Sequence, residues 1–300
     1  MGEGDFLKIQ QSFSSRLFDR FNVVLIALCS LITLSPFLYV VAASFATEKE
    51  IVERPLFLIP RDISLDAYQY IFSSSTLTRA FGNSLFITLC GTVINMFCTV
   101  TLAYPLSKKY LHGRNGALNL IIFSMFFSGG MIPGYIVVSS LGILDTYWSV
   151  LLPGAISAYN MMIIKNFFQN LPDGLEESAK LDGCTDLGAL VRIVLPLSLP
   201  VLATFSLFYA VGHWNAYFSA LLYMTRSPQK WPLQVVLRQL IILSQGAAGD
   251  MNNLDPAFVK PPDQSIKMAV IVVSTLPIMM VYPFLQKYFA KGVMIGALKG

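Results

Sequence analysis

Charged residues are scarce in this chain. Only 13% of its 300 residues are charged, whereas 55% are hydrophobic, and the formal net charge is +4. A soluble domain carries about 25% charged residues, and a soluble fold of this length cannot hide so large an apolar share. The small net charge does not suggest a nucleic-acid partner. The composition therefore predicts a protein for which lipid is much of the solvent.

Motifs for metal binding, disulfide formation and catalysis are also missing. The four cysteines, Cys29, Cys90, Cys98 and Cys184, have no CxxC spacing, so we predict small buried hydrophobic residues rather than a disulfide framework or zinc site. The sequence has no GxxxxGK[ST] phosphate loop, no HExxH and no G-x-S-x-G. We therefore expect this chain to bind no ATP and no metal and to be no enzyme.

What the sequence does have is a series of long apolar segments. Six of them reach the roughly 20 residues that a membrane-spanning helix needs. They lie at about 21–46, 81–106, 117–139, 147–168, 193–224 and 266–289. The first is longer than the apolar part of a signal peptide, so we predict a retained helix after a tail at 1–20; the small residues Ala42, Ala43 and Ser44 leave cleavage as the alternative.

Acidic and basic side chains are absent from the deep part of these segments. A self-sufficient secondary transporter, one alternative function, would normally need carboxylates or ion sites within the membrane. An intramembrane enzyme is a further alternative, but His213 has no evident nucleophile partner in the sequence. These absences weaken both alternatives.

Basic residues concentrate on alternate connections between the apolar segments. The third-to-fourth loop has Asp145 and no base. By the positive-inside rule the basic connections face the cytoplasm, so we predict an all-α polytopic membrane protein with six spans and both termini cytoplasmic. The basic residues are Lys8, Arg16 and Arg20 before the first segment, Lys108, Lys109 and Arg114 in the second-to-third loop, Lys165, Lys180 and Arg192 in the fourth-to-fifth loop, and Lys287, Lys291 and Lys299 at the end.

The polar stretch at 172–186 carries signals for a short helix. Asp173 is the predicted N-cap, and Glu176 stands at the capping-box spacing from it. The helix should run from Leu175 to Asp182 and stop at Gly183, which takes the left-handed conformation at little cost. Local chemistry leaves two interpretations open: a solvated connection with good caps, or a docking surface for a partner.

A second helix is predicted after the glycine. Thr185 or Asp186 can cap it, and it should enter the membrane at Pro196. The sequence Glu177-Ser178-Ala179, three residues and Gly183, followed by Ile193-x-Leu195-Pro196, resembles the EAA motif of ABC-importer permease subunits. Ser178 stands where that motif usually has a second alanine. The similarity covers nearly the whole chain and points to the carbohydrate branch, which includes the smaller maltose permease subunit and oligosaccharide-importer permeases of Gram-positive bacteria.

The resemblance implies a type I ABC-importer transmembrane domain at 21–300, with a coupling-helix loop at 169–192, in the bacterial cell membrane. It implies import of carbohydrate, in particular oligosaccharide, through a pore shared with a second permease subunit. It also implies a cytoplasmic ATPase dimer that uses ATP-Mg and a lipid-anchored or periplasmic solute-binding protein outside. The implied ATPase-coupling residues are Glu176, Glu177, Ser178, Ala179, Asp182, Gly183, Leu195 and Pro196.

Two further sets of residues are candidates for binding. The first, in or near the fifth span, either lines the sugar path or bonds across a helix interface; it comprises His213, Trp214, Asn215 and Tyr217. The second, in the outward loop at 225–265, either contacts the solute-binding protein or packs at the membrane edge; it comprises Trp231, Gln234 and Arg238. The basic tail at 291–299 is either a membrane-surface anchor or a part that packs near the ATPase.

Overall fold

The structure is a computed structural model that describes residues 13–244 and 264–297. Within those two ranges the regular elements are helices, apart from one isolated bridge between Ala46 and Ile63. The all-α prediction is therefore confirmed for the described part. The predicted irregular part of the outward loop, at 246–262, lies outside the described residues, as do Lys8 and Lys299.

The first third of the chain contains two long apolar helices joined by an outer loop. Helix α1 is Phe13–Ser44 and α4 is Ser75–Ser107, with the short helices α2, Glu48–Glu53, and α3, Asp66–Ser73, between them. Most of α1 is exposed along its length, so its apolar side chains face lipid or another subunit. Helix α4 instead buries polar and small side chains, among them Asn83, Asn95 and Thr99.

A buried carboxylate organises the loop between α1 and α4. Glu50 accepts a hydrogen bond of 3.0 Å from the Arg61 amide and one of 2.7 Å from the Arg54 guanidinium. The Arg61 amide is the main cause that lowers the pKa of Glu50 below its ordinary value. The loop is therefore a fixed structure rather than a loose linker.

The predicted third and fourth spans are interrupted. Helix α5, Arg114–Phe126, and helix α6, Met131–Ser140, meet at a bend of 118°. Gly130 at the bend has φ +88°, a conformation that glycine adopts without strain. Helices α7, Trp148–Leu151, and α8, Ala158–Gln169, are separated by residues that include Pro153. Each of the predicted segments at 117–139 and 147–168 therefore contains two helices rather than one.

The second half of the chain begins with short elements. Helix α9 is Asp173–Leu181 and α10 is Asp186–Ala189; a π-helical turn, Leu190–Val194, and α11, Leu195–Leu197, follow. Helix α12, Leu199–Asn215, leaves this segment at 84°. The remaining elements are α13, Phe218–Tyr223, a 3₁₀ turn at Pro228–Lys230, α14, Leu233–Ser244, and α15, Gln264–Ala297.

Helix α4 is the centre of the packing. It lies against α8 and α12, and α12 also packs on α15. One apolar cluster, with Met161, Ile164 and Val194 fully buried, lies where α4, α8 and the π-helical turn meet. A second cluster contains Leu77 of α4 and Leu240 of α14. The two clusters lie toward opposite ends of α4, so this helix connects both ends of the molecule.

Three helices of the described residues are long and apolar enough to cross a membrane: Leu17–Ser44, Ser75–Ser107 and Gln264–Pro283. The two bent pairs raise that number to five if each pair crosses as a unit. The predicted total of six spans, the domain bounds and the orientation of the termini remain predictions.

Candidate functional site

The polar stretch at 172–186 folds as a short helix with a defined stop. Gly183 has φ +81°. Its amide donates to the Lys180 carbonyl at 3.0 Å, and the Cys184 amide donates to the Ala179 carbonyl at 2.9 Å. These two bonds form a Schellman motif, which satisfies carbonyls that a helix end otherwise leaves free. The predicted glycine stop is thereby confirmed.

The start of α9 differs from the predicted start. The N-cap position is Pro172, which makes no side-chain cap bond, and the helix begins at Asp173 rather than at Leu175. The interpretation of Asp173 as the cap was therefore wrong. The Leu175 amide donates to the Pro172 carbonyl at 3.2 Å, so the first turn closes on the backbone without a capping side chain.

One face of α9 is open to solvent. Leu181 is 90% exposed and Leu175 is 41% exposed. Glu177, Ser178 and Asp182 are also exposed. Apolar side chains in water are unfavourable for a folded chain unless something covers them. This exposed face of α9, defined by Leu175, Glu177, Ser178, Leu181 and Asp182, has the composition of a docking surface.

Glu176 points the other way, into the protein. Its carboxylate forms an ion pair with Lys108, whose ammonium contacts both carboxylate oxygens. The side chains of both residues are only about 15% exposed. The Tyr104 hydroxyl donates to the same carboxylate at 3.4 Å. Glu176 is thus a structural partner of the second-to-third loop, whereas the exposed Glu177 is free of that role.

A second polar contact holds the other end of α9. The Lys180 ammonium donates to the Tyr110 hydroxyl at 3.2 Å and lies 2.7 Å from a carboxylate oxygen of Asp186. The bond to Asp186 is the main cause that raises the pKa of Lys180, and Tyr110 adds to it. The loop at 108–113 therefore contacts α9 at two positions, one turn apart.

The chain returns toward α12 through α10 and the π-helical turn. The Thr185 side chain accepts a hydrogen bond from the Gly188 amide, so Thr185 is the predicted cap. The Leu195 amide then donates to the Leu190 carbonyl, the five-residue spacing of a π-helix. Pro196 follows in α11 and is exposed, whereas Leu195 is partly buried. These two residues of the motif therefore mark a bend rather than a straight entry.

His213 forms an interhelical contact. Its Nε2 lies 3.3 Å from Oδ1 of Asn95, and the Asn95 amide group donates to the Gly154 carbonyl at 3.1 Å. The imidazole also lies against Gly91, where an added Cβ would be only 2.5 Å from Nε2. The structure thus favours the helix-interface interpretation of His213 and places the ring on the α4 backbone.

The other residues proposed for the sugar path are separated. Trp214 is buried, and its Nε1 donates to the Ser274 carbonyl at 2.9 Å. This burial contradicts the prediction that Trp214 lines the path. Asn215, the last residue of α12, and Tyr217, just after that helix, are exposed. The Arg238 guanidinium lies 5.7 Å from the centroid of the Tyr217 ring.

The three residues proposed to contact the solute-binding protein differ in exposure. Trp231 is 8% exposed and donates to the Met224 carbonyl at 2.8 Å, so it packs in the core and the prediction that it contacts a partner is contradicted. Gln234 is half-buried, and Arg238 is exposed. Trp231 precedes α14, so the amphipathic pattern of that helix does not show its burial; it packs in one cluster with Val235 and Leu240.

Asn83, which no sequence motif marks, has three hydrogen-bond partners outside α4. Its Nδ2 donates to the carbonyls of Gln229 at 2.9 Å and Trp231 at 3.1 Å, and its Oδ1 accepts from the Tyr147 hydroxyl at 2.9 Å. One side chain thus joins α4, α7 and the segment before α14. A polar residue in the first turns of an apolar helix was the only signal.

An open apolar cavity of about 610 Å³ lies along α4 and α7. Its wall contains Phe86, Tyr147 and Trp148, and Lys230 is at its edge. The Lys230 ammonium donates to the Asp145 carbonyl at 2.6 Å.

Known proteins resemble this chain over almost its whole length. The family model described as "Binding-protein-dependent transport system inner membrane component" matches residues 9–295. Protein LplC of Bacillus subtilis is 57% identical over 96% of both chains. The polygalacturonan/rhamnogalacturonan transport system permease protein YtcP of the same organism is 53% identical over 95% of this chain and 99% of its own.

A solved structure has the same fold. One chain of a bacterial ABC transporter involved in the import of the acidic polysaccharide alginate superposes with a TM-score of 0.85 and 33% identity. The alignment covers 93% of the present chain and 99% of that one. A chain from an alginate transporter in complex with a pentasaccharide-bound periplasmic protein matches at a TM-score of 0.60 and 15% identity, which indicates a shared fold.

Proposed function

The chain belongs to the family of binding-protein-dependent transport system inner membrane components and is a non-catalytic permease subunit of a membrane importer, and we propose that its cargo is an acidic oligosaccharide. The observation that carries the cargo proposal is the 53% identity to a permease named for polygalacturonan and rhamnogalacturonan. The alginate importer, whose cargo is also acidic, supports it at 33% identity.

The chemistry of the predicted outer end is compatible with such a cargo. Arg226, Lys230 and Arg238 lie near the outer ends of α12 to α14, if the basic connections are cytoplasmic. Carboxylates of uronic acids pair with such cations, and sugar rings stack on aromatic faces of the kind that Tyr147 and Trp148 offer in the 610 Å³ cavity. Trp214, by contrast, is not part of this proposal.

The assembly that we propose has the usual parts of an ABC importer. This chain supplies six spans with both termini inside, a second permease subunit completes the pore, and an ATPase dimer hydrolyses ATP-Mg. A solute-binding protein delivers the oligosaccharide from outside, with Arg238 and Gln234 among the residues that it can reach. The exposed face of α9 docks on the ATPase, with Leu181 and Glu177 at the contact.

Coupling by this helix has a simple physical basis. ATP changes the shape of the ATPase dimer, and a docked helix whose contacts differ between the two shapes biases the permease between inward- and outward-facing states. Gly183 and the bend at Leu195 and Pro196 direct that movement toward α12. Ala179 is small, so it permits a close approach of the partner.

Uptake by a purified complex tests the cargo. The chain is co-expressed with its genomic neighbours, purified in mild detergent and reconstituted with ATP inside the vesicles. We expect accumulation of labelled oligogalacturonides at a rate at least about tenfold above that of neutral arabino-oligosaccharides of equal length, because the loss of paired carboxylates costs on the order of 1–3 kcal/mol. Preferential uptake of the neutral sugar would refute the acidic cargo and leave the permease assignment intact.

A further inference from the structure

We propose that Lys108 is a positioning residue for energy coupling, because its pair with Glu176 links α9 directly to the end of α4. The inference rests on the proposed docking of α9 to an ATPase. It assigns a mechanical role to a loop outside the EAA-like motif, and to the acidic residue that points away from the docking face.

Toward α12 the backbone offers only an indirect route from α9, whereas on its other side α9 follows α8, Ala158–Gln169, after three residues. A movement of α9 toward α12 must first pass the left-handed turn at Gly183 and then the π-helical turn. It must finally pass the 84° bend before α12. Each of these is a place where the backbone can yield, so this route transmits displacement poorly by itself.

The ion pair avoids that route. Lys108 is the C-cap residue of α4, and its amide donates to the Pro105 carbonyl at 3.1 Å. Its ammonium contacts both oxygens of Glu176, which lies in the first turns of α9. A displacement of α9 therefore reaches the last turn of α4 through one pair of side chains.

The surroundings make this pair stronger than a surface ion pair. The Lys108 side chain is 16% exposed and that of Glu176 is 15% exposed, whereas exposed pairs contribute little. The Lys108 ammonium also lies 4.5 Å from the centroid of the Tyr104 ring, and the Tyr104 hydroxyl donates to Glu176. Removal of either partner would leave a partly buried charge without compensation.

Helix α4 is suited to receive the displacement. The Thr99 and Tyr209 hydroxyls are 2.8 Å apart and connect α4 to α12. Asn95 connects α4 to the Gly154 carbonyl and to His213. The helix that ends at Lys108 thus holds the elements around the candidate pathway, and a rigid connected element of this kind can carry coupling.

Lys180 also connects α9 to the loop at 108–113, but its contacts are more exposed than the pair of Lys108 and Glu176. Lys180 bonds to Tyr110 and Asp186, but its side chain is 39% exposed and that of Asp186 is 66% exposed. Water screens these charges more than it screens the pair of Lys108 and Glu176. We therefore expect the larger effect at Lys108.

The test uses the complete reconstituted complex. ATP hydrolysis is measured with and without the binding protein loaded with a mixture of oligogalacturonides, for wild type, Lys108→Met, Glu176→Gln and Lys108→Arg. We expect Lys108→Met and Glu176→Gln to lower the stimulated-to-basal ratio by about fivefold or more, the low end of typical coupling. Lys108→Arg should keep most of the ratio, because a guanidinium pairs with both oxygens of a carboxylate.

Lys109→Met is the matched control. It removes the same charge from the adjacent, exposed position, and its ratio should stay within about twofold of wild type, since surface charges contribute little. An unchanged ratio in Lys108→Met and Glu176→Gln would overturn the proposal, and so would an equal loss in Lys109→Met. If the complex that contains Lys108→Met loses the ATPase subunit during purification, a Lys108→Arg complex that keeps the ATPase supports the role of the ion pair. A Lys108→Arg complex that also loses it overturns that role.

A second measurement separates this proposal from the cargo and ATPase proposals. Amide hydrogen exchange at 173–182 is followed in the permease complex without sugar and without nucleotide. We expect exchange to be about fivefold faster in Lys108→Met than in Lys109→Met, because α9 loses its tie to α4. If oligogalacturonides do not stimulate ATP hydrolysis by the wild type, the cargo proposal fails and the exchange measurement alone tests the role of Lys108. Equal exchange rates in Lys108→Met and Lys109→Met would then overturn that role.

Discussion

Single residues set the geometry of the candidate coupling region. Gly183 supplies the left-handed turn, at φ +81°, that ends α9. Glu176 and Glu177 are neighbours in sequence with opposite tasks, one paired with Lys108 and one exposed. The start of α9 therefore combines an inward contact and an outward face within one helical turn.

A substitution at Gly183 tests whether the left-handed turn constrains the end of α9. Gly183→Val should destabilise the turn by about 1–2 kcal/mol, the cost of a left-handed conformation for a residue with a Cβ, and more because valine is β-branched. Amide exchange at 173–182 should become faster, and sugar-stimulated ATP hydrolysis should fall. Gly183→Asn is the control, because asparagine tolerates this conformation. Equal behaviour of the two variants would show that the turn is not constrained.

A substitution at Gly91 tests the contact between His213 and the backbone of α4. In Gly91→Ala the new Cβ would lie 2.5 Å from Nε2 of His213, so the imidazole must move away from Asn95. We expect a loss of about 1–3 kcal/mol in stability, as for other overpacked sites, seen as a lower melting temperature in detergent. Gly82→Ala on the same helix meets nothing within 4 Å and should not lower it.

A double substitution distinguishes overpacking at His213 from an effect of alanine on helix α4 itself. Gly91→Ala combined with His213→Ala should recover much of the lost melting temperature, since the clash disappears. A failure to recover, or an equal loss in Gly82→Ala, would contradict the contact between His213 and the α4 backbone.

At the scale of elements, α4 organises the fold through buried polar side chains. Asn83 joins its start to the segment before α14, and Lys108 joins its end to α9. Asn95 joins its middle to the connection between α7 and α8, and Thr99 joins its middle to α12. Hydrogen bonds of this kind hold helices together where lipid provides no hydrophobic drive.

Replacement of Asn83 should loosen the segment before α14. Asn83→Leu leaves two carbonyls and the Tyr147 hydroxyl without their partner, which costs about 1–3 kcal/mol for each buried group left unsatisfied. We expect the segment at 225–233 to exchange its amides faster and to become sensitive to protease. Asn215→Leu, at an exposed asparagine, should leave this segment unchanged. Unaltered exchange in Asn83→Leu would show that the segment is held by apolar packing alone.

The sequence predicted some elements better than others, for physical reasons. The apolar run of α4 and the glycine stop at Gly183 depend on local chemistry, and both are confirmed. The breaks between α5 and α6 and within 147–168 were missed, because apolar composition continues through Gly130 and Pro153 and such residues are tolerated in straight spans too. The burial of Trp214 and Trp231 depends on helices far away in sequence, which no local pattern shows.

In the molecule as a whole, α4 joins the two ends that the proposed function involves. One end carries the basic connections and the exposed face of α9; the other carries Asn83, Lys230 and the apolar cavity. Helix α1 packs on α15 and, at its end, on the outer loop. The rest of it is exposed, so this chain presents a large apolar surface to lipid or a second permease subunit. Such an arrangement fits one half of a pore whose energy arrives from a separate protein.

The central claim is that this chain is a passive permease driven through the exposed face of α9. The most direct test is ATP-dependent uptake in vesicles by the complex that contains Leu181→Asp, compared with Leu56→Asp. Both leucines are strongly exposed, at 90% and 86%, so neither change should unfold the chain. We predict that Leu181→Asp reduces uptake at least about tenfold, since a charge buried at an interface costs several kcal/mol, and that Leu56→Asp retains ATP-driven uptake. Equal uptake by the two complexes, or uptake that continues without the ATPase, would contradict this account.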